Sequence, residues 1–156
     1  MNNQIEITRA TIDDMFDLFE LANDPEVRKN SFNQEKIDLE THKKWFNNRV
    51  DNDDFLLLVA RNGVNFIGSI RFEKDIDNKF IISIQIHKNF RGKGLGKKLL
   101  QNAIKKLFNQ KENPIIIAKI KSNNLSSIKI FSDSNFKIIE NNQKEQFIVL
   151  EYYAKL

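Results

Sequence analysis

The sequence contains no cysteine at all. This absence excludes a disulfide framework, a thiolate metal site and a cysteine nucleophile. Only two prolines, together with 40% hydrophobic and 29% charged residues, argue against a fibrous or disordered protein. No apolar run approaches the roughly 20 residues that a membrane helix requires, so we expect no membrane contact. The N-terminal residues also lack the pattern of a signal peptide, and we therefore expect a cytoplasmic protein.

The length of 156 residues suits a single domain over residues 1–156, because two halves would each be too small to bury a good core. The net charge of +4 raises the question of a nucleic-acid partner. We expect none, since the basic residues are interleaved with 21 acidic ones. Their one local concentration, which includes Arg91, Lys93, Lys97 and Lys98, suits a smaller anion. The oligomeric state is left open.

Hydrophobic periodicity divides the N-terminal third into a strand and three helices. Ile5 and Ile7 alternate with polar residues as in a half-buried strand. Thr11 is placed to cap a helix whose predicted apolar face comprises Ile12, Met15, Phe16, Phe19 and Ala22. Asp24 and Pro25 mark a second helix start, with proline at the first helical position. A further helix is predicted over 39–49.

The remaining chain alternates strands with helices. Asn62-Gly63 joins two apolar runs, Phe55–Arg61 and Asn65–Phe72, as in a hairpin. Beyond it the pattern predicts a strand over 80–87, a long helix over 95–109, a buried strand over 115–121, a short helix over 125–132 and strands over 136–140 and 147–153. The long helix has a broad predicted apolar face: Leu95, Leu99, Leu100, Ala103, Ile104, Leu107 and Phe108. This order indicates a mixed α/β sheet.

A glycine-rich segment, Arg91-Gly92-Lys93-Gly94-Leu95-Gly96, lies between the strand over 80–87 and the long helix. Glycines at alternate positions leave room for the backbone to approach a ligand closely. The following helix directs unpaired N–H groups and a partial positive charge at the loop. Together these features predict an anion site that suits a pyrophosphate.

Three other kinds of glycine-rich segment have related patterns. A Walker loop fails, because Arg91 and Lys98 stand where glycine and Ser or Thr are required. The dinucleotide fingerprint needs two residues between its last two glycines and an early parallel βαβ unit, whereas one residue separates Gly94 and Gly96 in the middle of the chain. A turn with purely structural glycines is the remaining alternative.

The segment HKNFRGKGLGKKLL resembles the acyl-coenzyme A signature of the GNAT acetyltransferases. That signature is Arg or Gln, two residues, Gly, one residue, and Gly or Ala, which Arg91, Gly94 and Gly96 satisfy. The resemblance implies a twisted, mostly antiparallel sheet with one parallel, splayed strand pair, flanked by helices. It also implies acetyl-coenzyme A as cosubstrate and no metal.

A second family motif has Asn, two residues, Ser or Ala, three residues, and Tyr or Phe, followed by Gly-Phe. Asn124, Ser127 and Phe131 match its spacing, and Asn135 replaces the glycine before Phe136. Because asparagine tolerates left-handed backbone, we expect this turn to be preserved. The cofactor contacts implied by the resemblance are Ile86, His87, Arg91, Gly92, Lys93, Gly94, Leu95, Gly96, Lys97, Asn124, Ser127 and Phe131.

By the same resemblance, the pantetheine arm lies between diverging strands over 80–87 and 115–121, and Asn124 hydrogen-bonds it. The backbone N–H of Ile86 faces the thioester carbonyl. A fixed donor there stabilises the negative charge that acyl transfer builds on this oxygen.

Acetyl transfer also requires a proton donor for the thiolate and a base for the amine. Many relatives have a tyrosine at the position of Phe131, which protonates the departing thiolate, and phenylalanine cannot do this. A thiol with a pKa near 8.5, about that of cysteine, leaves without an acid, and Tyr152 or Tyr153 is an alternative donor. Glu73, after the strand over 65–72, is the candidate base, with water and backbone carbonyls as alternatives.

The acceptor side is predicted from the N-terminal third. Asn23, Arg28, His42 and Trp45 have a spacing that resembles ribosomal-protein and amino-sugar N-acetyltransferases, in particular those that act on nucleotide-linked 4-amino sugars on the way to pseudaminic or legionaminic acid. The resemblance implies that Arg28 pairs with phosphate and that His42 or Trp45 contacts a base or sugar. A protein N-terminus or lysine is the alternative acceptor. A non-catalytic ligand- or RNA-binding module is a third hypothesis, for which no nucleic-acid motif is found.

Overall fold

The computed structural model describes residues 4–154. Its strands are β1 (Glu6–Arg9), β2 (Phe55–Asn62), β3 (Asn65–Lys74), β4 (Lys79–Ile86), β5 (Ile115–Lys121), β6 (Phe136–Asn142) and β7 (Phe147–Tyr152). Its α-helices are α1 (Met15–Ala22), α2 (Pro25–Asn30), α3 (Leu39–Arg49), α4 (Leu95–Gln110) and α5 (Leu125–Ser132). Among these residues, no helix has both the length and the apolar character needed to cross a membrane.

All seven strands form one sheet in the order β1-β2-β3-β4-β5-β7-β6. Every neighbouring pair is antiparallel except β4 and β5, which are parallel. That parallel pair is hydrogen-bonded only where Lys79–Ile81 faces Ile115–Ile117, and the two strands diverge beyond it. The predicted fold class, including the splayed parallel pair, is confirmed.

Two turns follow their predicted chemistry. Asn62 pairs with Asn65 across the β2–β3 hairpin, and Gly63 adopts a left-handed φ of 59°. Asn135, which replaces the family glycine, has a φ of 68°. Asparagine therefore supplies the backbone conformation for which glycine is the usual residue.

One face of the sheet is covered by α4 and α5. The predicted apolar face of α4 is buried at its centre: Leu99, Leu100, Ala103, Ile104 and Leu107. Leu95 is half-buried and packs against the same core. Phe108, at the end of the predicted face, is partly exposed and contacts Tyr152 at its edge, because it lies where the core meets solvent.

The other face is covered by α1 and α3, and here one prediction is wrong. Ile12 and Phe16 were expected on the buried face of the first helix, but they are 62% and 58% exposed. The buried residues of α1 are Met15, Leu18 and Leu21. The cause is a 3-10 turn over Ile12–Asp14, which delays the helix, and an ion pair between the helix start and Arg61 of β2, which fixes its rotation.

Strand β5 also differs from its prediction as a fully buried strand. Ile116, Ala118 and Ile120 are buried, whereas Ile115 and Lys119 are exposed. The run of β-branched residues gave no sign of this alternation, since isoleucine stands on both faces.

Candidate functional site

The loop between β4 and α4 has the backbone that its glycines predict. Gly92 and Gly94 are left-handed, with φ of 72° and 73°, and Gly94 is the N-cap of α4. A Cβ at either position would contact nothing, so the glycines serve the backbone conformation rather than a close contact within the chain. Within residues 4–154, the backbone amides of residues 92–97 donate no hydrogen bond to an acceptor outside α4. These amides and the helix N-terminus suit an anion such as pyrophosphate.

Gly96 has a packing role that the sequence did not predict, while the contact of its amide with the cofactor stays a prediction. A Cβ on Gly96 would lie 2.6 Å from the terminal methyl of Ile130 on α5. This glycine is buried within α4 and allows close packing of the two helices. Gly96 therefore holds α5 against the loop's helix, and its missing side chain is explained by packing.

Arg91 connects the loop to two other parts of the site. Its Nε donates to the carbonyl oxygen of Ile86 at 2.8 Å, and its Nη2 lies 2.9 Å from Oδ1 of Asp24. Asp24 is also the N-cap of α2, where it accepts from the amides of Glu26 and Val27. Burial alone would raise the pKa of Asp24, but the bonds from Arg91 and these amides hold it below its ordinary value. Arg91 is thus a tether between the loop and α2.

The backbone of β4 is available to a ligand where it leaves β5. The amide of His87 donates to the carbonyl of Ile67 on β3 at 2.7 Å. Successive residues of a strand direct their backbone groups to opposite sides, so the amide of Ile86 points away from β3 and into the gap. This is the orientation that the predicted contact with a thioester carbonyl requires.

Gly68 is a site residue that the sequence did not identify. It faces Ile86 across β3 and β4, and a Cβ on it would collide with the backbone carbonyl of Gln85. A glycine inside a strand is the available sign of such a close approach. Gly68 therefore sets the spacing of β3 against the end of β4 that lines the gap.

The charged residues around the loop are mostly exposed. Lys93 and Lys97 extend into solvent, and Lys93 lies over the ring of Phe90 at 5.5 Å. The Nδ1 of His87 accepts from the amide of Asn89, which shapes the entry to the loop. The imidazole also lines a second cavity of about 490 Å³ beside α1 and the β2–β3 hairpin.

The residues of the second motif are divided between the helix cap and the core. Oδ1 of Asn124 caps α5 by accepting from the amide of Ser127, and its Nδ2 donates to no protein acceptor in the described chain. Phe131 is 2% exposed and packs edge-on against Phe136, with ring centroids 4.9 Å apart. Tyr152 packs against Phe136.

On the opposite face of the sheet, a cleft of about 420 Å³ lies between the strands and the α1–α3 layer. Its lining is formed by helices α1 and α3, the segment after α2 and strands β2 to β4: Leu18, Ala22, Arg28, Ser31, Phe32, Asn33, Ile37, Thr41, His42, Trp45, Leu57, Ser69, Arg71, Ser83 and Gln85. Gln85 lines the cleft, and the next residue, Ile86, faces the gap between β4 and β5. The cleft and the gap therefore meet at the end of β4.

Two residues predicted to contact the acceptor form hydrogen bonds within the cleft wall, and their contact with the acceptor stays a prediction. Asn23 exchanges two hydrogen bonds with the backbone of Ile37, at 2.9 and 2.8 Å. Arg28 donates to the carbonyls of Ala22, Asn33 and Glu35 and to the hydroxyl of Ser31. Burial lowers the pKa of Arg28 below its ordinary value. Arg28 lines the cleft, and four of its five N–H donors bind the end of α1 and the segment over 31–35.

His42 and Trp45 both line the cleft. His42 is 3% exposed, stacks on Trp45 at 5.7 Å and has its Nε2 3.2 Å from the carbonyl oxygen of Met15. Because a carbonyl only accepts, Nε2 carries the proton, and Nδ1 of the neutral ring remains an acceptor. Burial lowers the pKa of His42, while the bond to Met15 opposes this.

The floor of the cleft consists of polar side chains that sequence reasoning missed: Ser69 and Arg71 on β3, and Ser83 and Gln85 on β4. Polar residues at alternate positions of two central strands were the available signal, since such positions are normally apolar. Glu73, the predicted base, lies one alternation beyond Arg71 on the same face and is not part of the lining.

Within the described residues, no group of three or more His, Asp or Glu side chains is arranged to hold a metal ion. The chemical groups of the site are backbone amides, side-chain amides, hydroxyls, the imidazoles of two histidines and the guanidinium groups of three arginines: Gln85, Asn124, Ser69, Ser83, His42, His87, Arg28, Arg71 and Arg91. These groups can bind an acyl-coenzyme A through its phosphates and its thioester carbonyl. They can also place a second substrate beside the thioester.

Solved structures of acetyltransferases have the same fold. Spermidine N-acetyltransferase from Vibrio cholerae, in complex with CoA and spermine, has a TM-score of 0.82 at 16% identity, covering 96% of this chain and 94% of that one. Ribosomal-protein-alanine N-acetyltransferase from Brucella melitensis has a TM-score of 0.79 at 24% identity, covering 96% and 99%. A yncA protein from Salmonella typhimurium, a putative acetyltransferase with its cofactor acetyl-CoA, has a TM-score of 0.74 at 20% identity, covering 94% and 91%.

A comparison with curated protein sequences finds no significant match. The model of the acetyltransferase (GNAT) domain, by contrast, matches residues 4–137. The match includes the glycine loop, the diverging strands and the second motif, which are the parts from which the site is built. The chain therefore belongs to the GNAT acetyltransferase family.

Proposed function

We propose that this acetyltransferase moves the acetyl group of acetyl-CoA to a primary amine that enters through the cleft lined by His42 and Trp45. The observation that carries the proposal is the junction at the end of β4. There the amide of Ile86 faces the gap between β4 and β5, while the side chain of Gln85 lines the cleft. A thioester in the gap and an amine in the cleft would thus meet at one point. A cytoplasmic location is part of the proposal.

The residues of the chain have distinct tasks in this reaction. The amides of residues 92–97 bind the pyrophosphate, and Asn124 offers its free Nδ2 to the pantetheine arm. The amine nitrogen attacks the thioester carbonyl, the amide of Ile86 stabilises the developing oxyanion, and the C–S bond breaks to release the thiolate. The proton lost by the amine goes to water or a base, for which Glu73 stays a prediction.

The cleft itself favours the reactive form of the acceptor. An amine attacks only when it is neutral, and a nearby positive charge lowers the pKa of an ammonium group. Arg28 and Arg71 both line the cleft, and no carboxylate is among its lining residues in the described chain. This electrostatic setting reduces the demand for a strong base.

For the acceptor we propose the amine of a nucleotide-linked 4-amino sugar. The support is the combination of aromatic rings, Trp45 and Phe32, with positively charged walls that suit a diphosphate. A protein N-terminal amine is the second candidate, favoured by the structural similarity to the ribosomal-protein-alanine enzyme over almost the full length of both chains. A lysine side chain belongs to the same alternative.

Thiol release from acetyl-CoA, measured across nucleotide-linked 4-amino sugars, free amino sugars, polyamines and N-terminal peptides, tests this proposal. We expect the fastest turnover with a 4-amino sugar nucleotide. Turnover of a peptide with no turnover of any sugar would select the second candidate. Salt-dependent RNA binding without any affinity for acetyl-CoA would contradict both and favour a non-catalytic module.

A further inference from the structure

The two arginines that line the cleft differ in what they contact. Arg28 donates to three carbonyl oxygens and a hydroxyl, which use four of its five N–H donors. For Arg71, no ion pair and no side-chain hydrogen bond is found within residues 4–154. Arg71 nevertheless lies on β3 near the centre of the sheet, opposite Leu57 of β2 and Ser83 of β4. A guanidinium group with free donors thus forms part of the cleft floor.

Trp45 holds this guanidinium in place. The central carbon of Arg71 lies 5.5 Å from the centre of the indole ring, a distance at which a cation and an aromatic ring attract. The guanidinium of Arg49 lies 5.3 Å from the same ring. A planar group held against an aromatic ring loses little conformational freedom when it binds a ligand, so Arg71 is preorganised.

The surroundings of Arg71 do not supply the anion that its charge favours. Removal from water lowers the pKa of Arg71, Glu73 opposes this shift, and Arg49 and Arg28 add to it. Glu73 is too distant for an ion pair, since no contact within 4.0 Å joins it to Arg71 in the described chain. An arginine keeps its charge even at such a site, so an anionic ligand gains from binding it.

We propose that Arg71 determines acceptor specificity by binding an anionic group of the acceptor, so that the substrate is an amine that also carries a carboxylate or a phosphate. This inference rests on the proposed acetyl transfer to an amine in the cleft. Carboxylate and phosphate oxygens both match the donor fork of arginine. A polyamine, which has only positive groups, is repelled by Arg71 and Arg28 and is a poor substrate.

Matched amines test this assignment. Thiol release is measured with glucosamine 6-phosphate against glucosamine, and with 4-aminobutyrate against butylamine, so that each pair differs in the anion alone; spermidine is the cationic member. We expect kcat/KM to be at least tenfold higher for the anionic member of one pair, and which pair responds distinguishes phosphate from carboxylate. Preference for the neutral amines or spermidine would overturn the assignment while acetyl transfer stands.

Variants of Arg71 then test whether this residue causes the preference for anionic amines. Arg71→Gln should raise KM for the anionic amine at least tenfold and KM for its partner without the anion less than threefold. A change in kcat from the lost positive charge is common to both amines, so the ratio of the two KM values is the measurement that assigns the anion contact to Arg71. Arg71→Lys keeps the positive charge but lacks the planar donor fork, so its KM for the anionic amine should lie between those of wild type and Arg71→Gln. This variant also provides the test if Arg71→Gln does not fold. Lys74→Gln removes one positive charge from the exposed end of β3 and should behave as wild type.

An unchanged anion preference in folded Arg71→Gln or Arg71→Lys would contradict the inference. A different failure would be no thiol release with any amine and no binding of acetyl-CoA in calorimetry. That result would remove the proposed function itself, so the two failures are distinguishable.

Discussion

Gly94 and Gly63 have the same backbone conformation and equally open surroundings. Both are left-handed, with φ of 73° and 59°, and a Cβ would contact nothing at either position. Gly94 begins α4 at the proposed pyrophosphate site, whereas Gly63 lies in the β2–β3 hairpin. A substitution at Gly63 should therefore show the effect of backbone strain alone, and the same substitution at Gly94 should show strain together with any effect on ligand binding.

Gly94→Val should weaken acetyl-CoA binding at least tenfold, about 1.4 kcal/mol. Valine disfavours the left-handed conformation, so the amides at the start of α4 change direction, and its branched side chain occupies space at the loop. Titration calorimetry measures the affinity. Gly63→Val is the matched control, which should lose comparable stability and bind normally. Unchanged binding in folded Gly94→Val would exclude the loop as the pyrophosphate site.

The contacts of some single residues could be predicted from the sequence, and those of others could not. Gly94 and Asn124 stand at matching positions of the two family motifs, and their contacts with the cofactor stay predictions. The contacts of Gly96 and Arg28 within the chain were not predictable, since a glycine that packs against Ile130 and an arginine that binds carbonyls look the same in sequence as ligand-binding residues. Arg71 was missed because its lack of an ion-pair partner within residues 4–154 depends on tertiary contacts that the sequence does not show.

At the scale of elements, α1 and α3 are joined through a buried histidine. His42 of α3 donates to the carbonyl of Met15, the first residue of α1, and its ring lies 5.3 Å from that of Phe19. Because burial lowers the pKa of His42, the neutral ring is the form that fits between the helices. Protonation would place a charge in this apolar contact.

Stability should therefore fall as the pH drops below about 6.5, the ordinary pKa of histidine. Between that pH and the lowered pKa of the folded state, the unfolded chain binds a proton that the folded chain does not. The free energy of unfolding then rises with pH, by at most about 1.4 kcal/mol per unit, and the contribution of His42 is fully present above pH 6.5. Urea unfolding between pH 5 and 7.5 measures this slope.

The variant His42→Gln should lack this part of the slope, because glutamine can donate to Met15 without titrating. His87→Gln makes the same change at the other histidine of the sequence, and this variant should retain the full slope of unfolding free energy with pH. Equal slopes in wild type and His42→Gln would show that the α1–α3 contact does not depend on the neutral ring.

Elements were predictable where one pattern dominated. The bounds of α3 and α5 were predicted as the structure has them, since capping residues and periodicity agree there. The buried face of α1 was not, because apolar residues surround that segment and the choice between faces depends on the contact of Arg61 with Asp14 and Asp17. The one-sided burial of β5 was hidden by isoleucine on both faces.

At the scale of the whole molecule, the cofactor loop and the acceptor wall are connected across the end of β4. Arg91 binds the carbonyl of Ile86 and pairs with Asp24, which caps α2. The loop, the proposed oxyanion donor and the helix that carries Arg28 are thus linked by one side chain. We therefore expect the cofactor loop and the acceptor wall to depend on each other. That residues 1–156 form one domain stays a prediction.

The variant Asp24→Asn should weaken acetyl-CoA binding three- to tenfold, about 0.7–1.4 kcal/mol, although Asp24 lies on the acceptor side. Asparagine keeps the cap of α2, so the helix is retained, but Arg91 loses its charged partner and holds the loop less firmly. Asp38→Asn is the matched control, because Asp38 caps α3 in the same way and contacts Thr41. Calorimetry should show normal affinity for that control.

A double-mutant cycle with Arg91→Gln completes the test. If the two side chains act as one tether, the losses of affinity in Asp24→Asn and Arg91→Gln should not add, because either change already breaks the ion pair. Additive losses would mean that Arg91 acts on the cofactor independently of Asp24. In that case the acceptor wall and the cofactor loop would bind their substrates without the coupling that the Asp24–Arg91 contact implies.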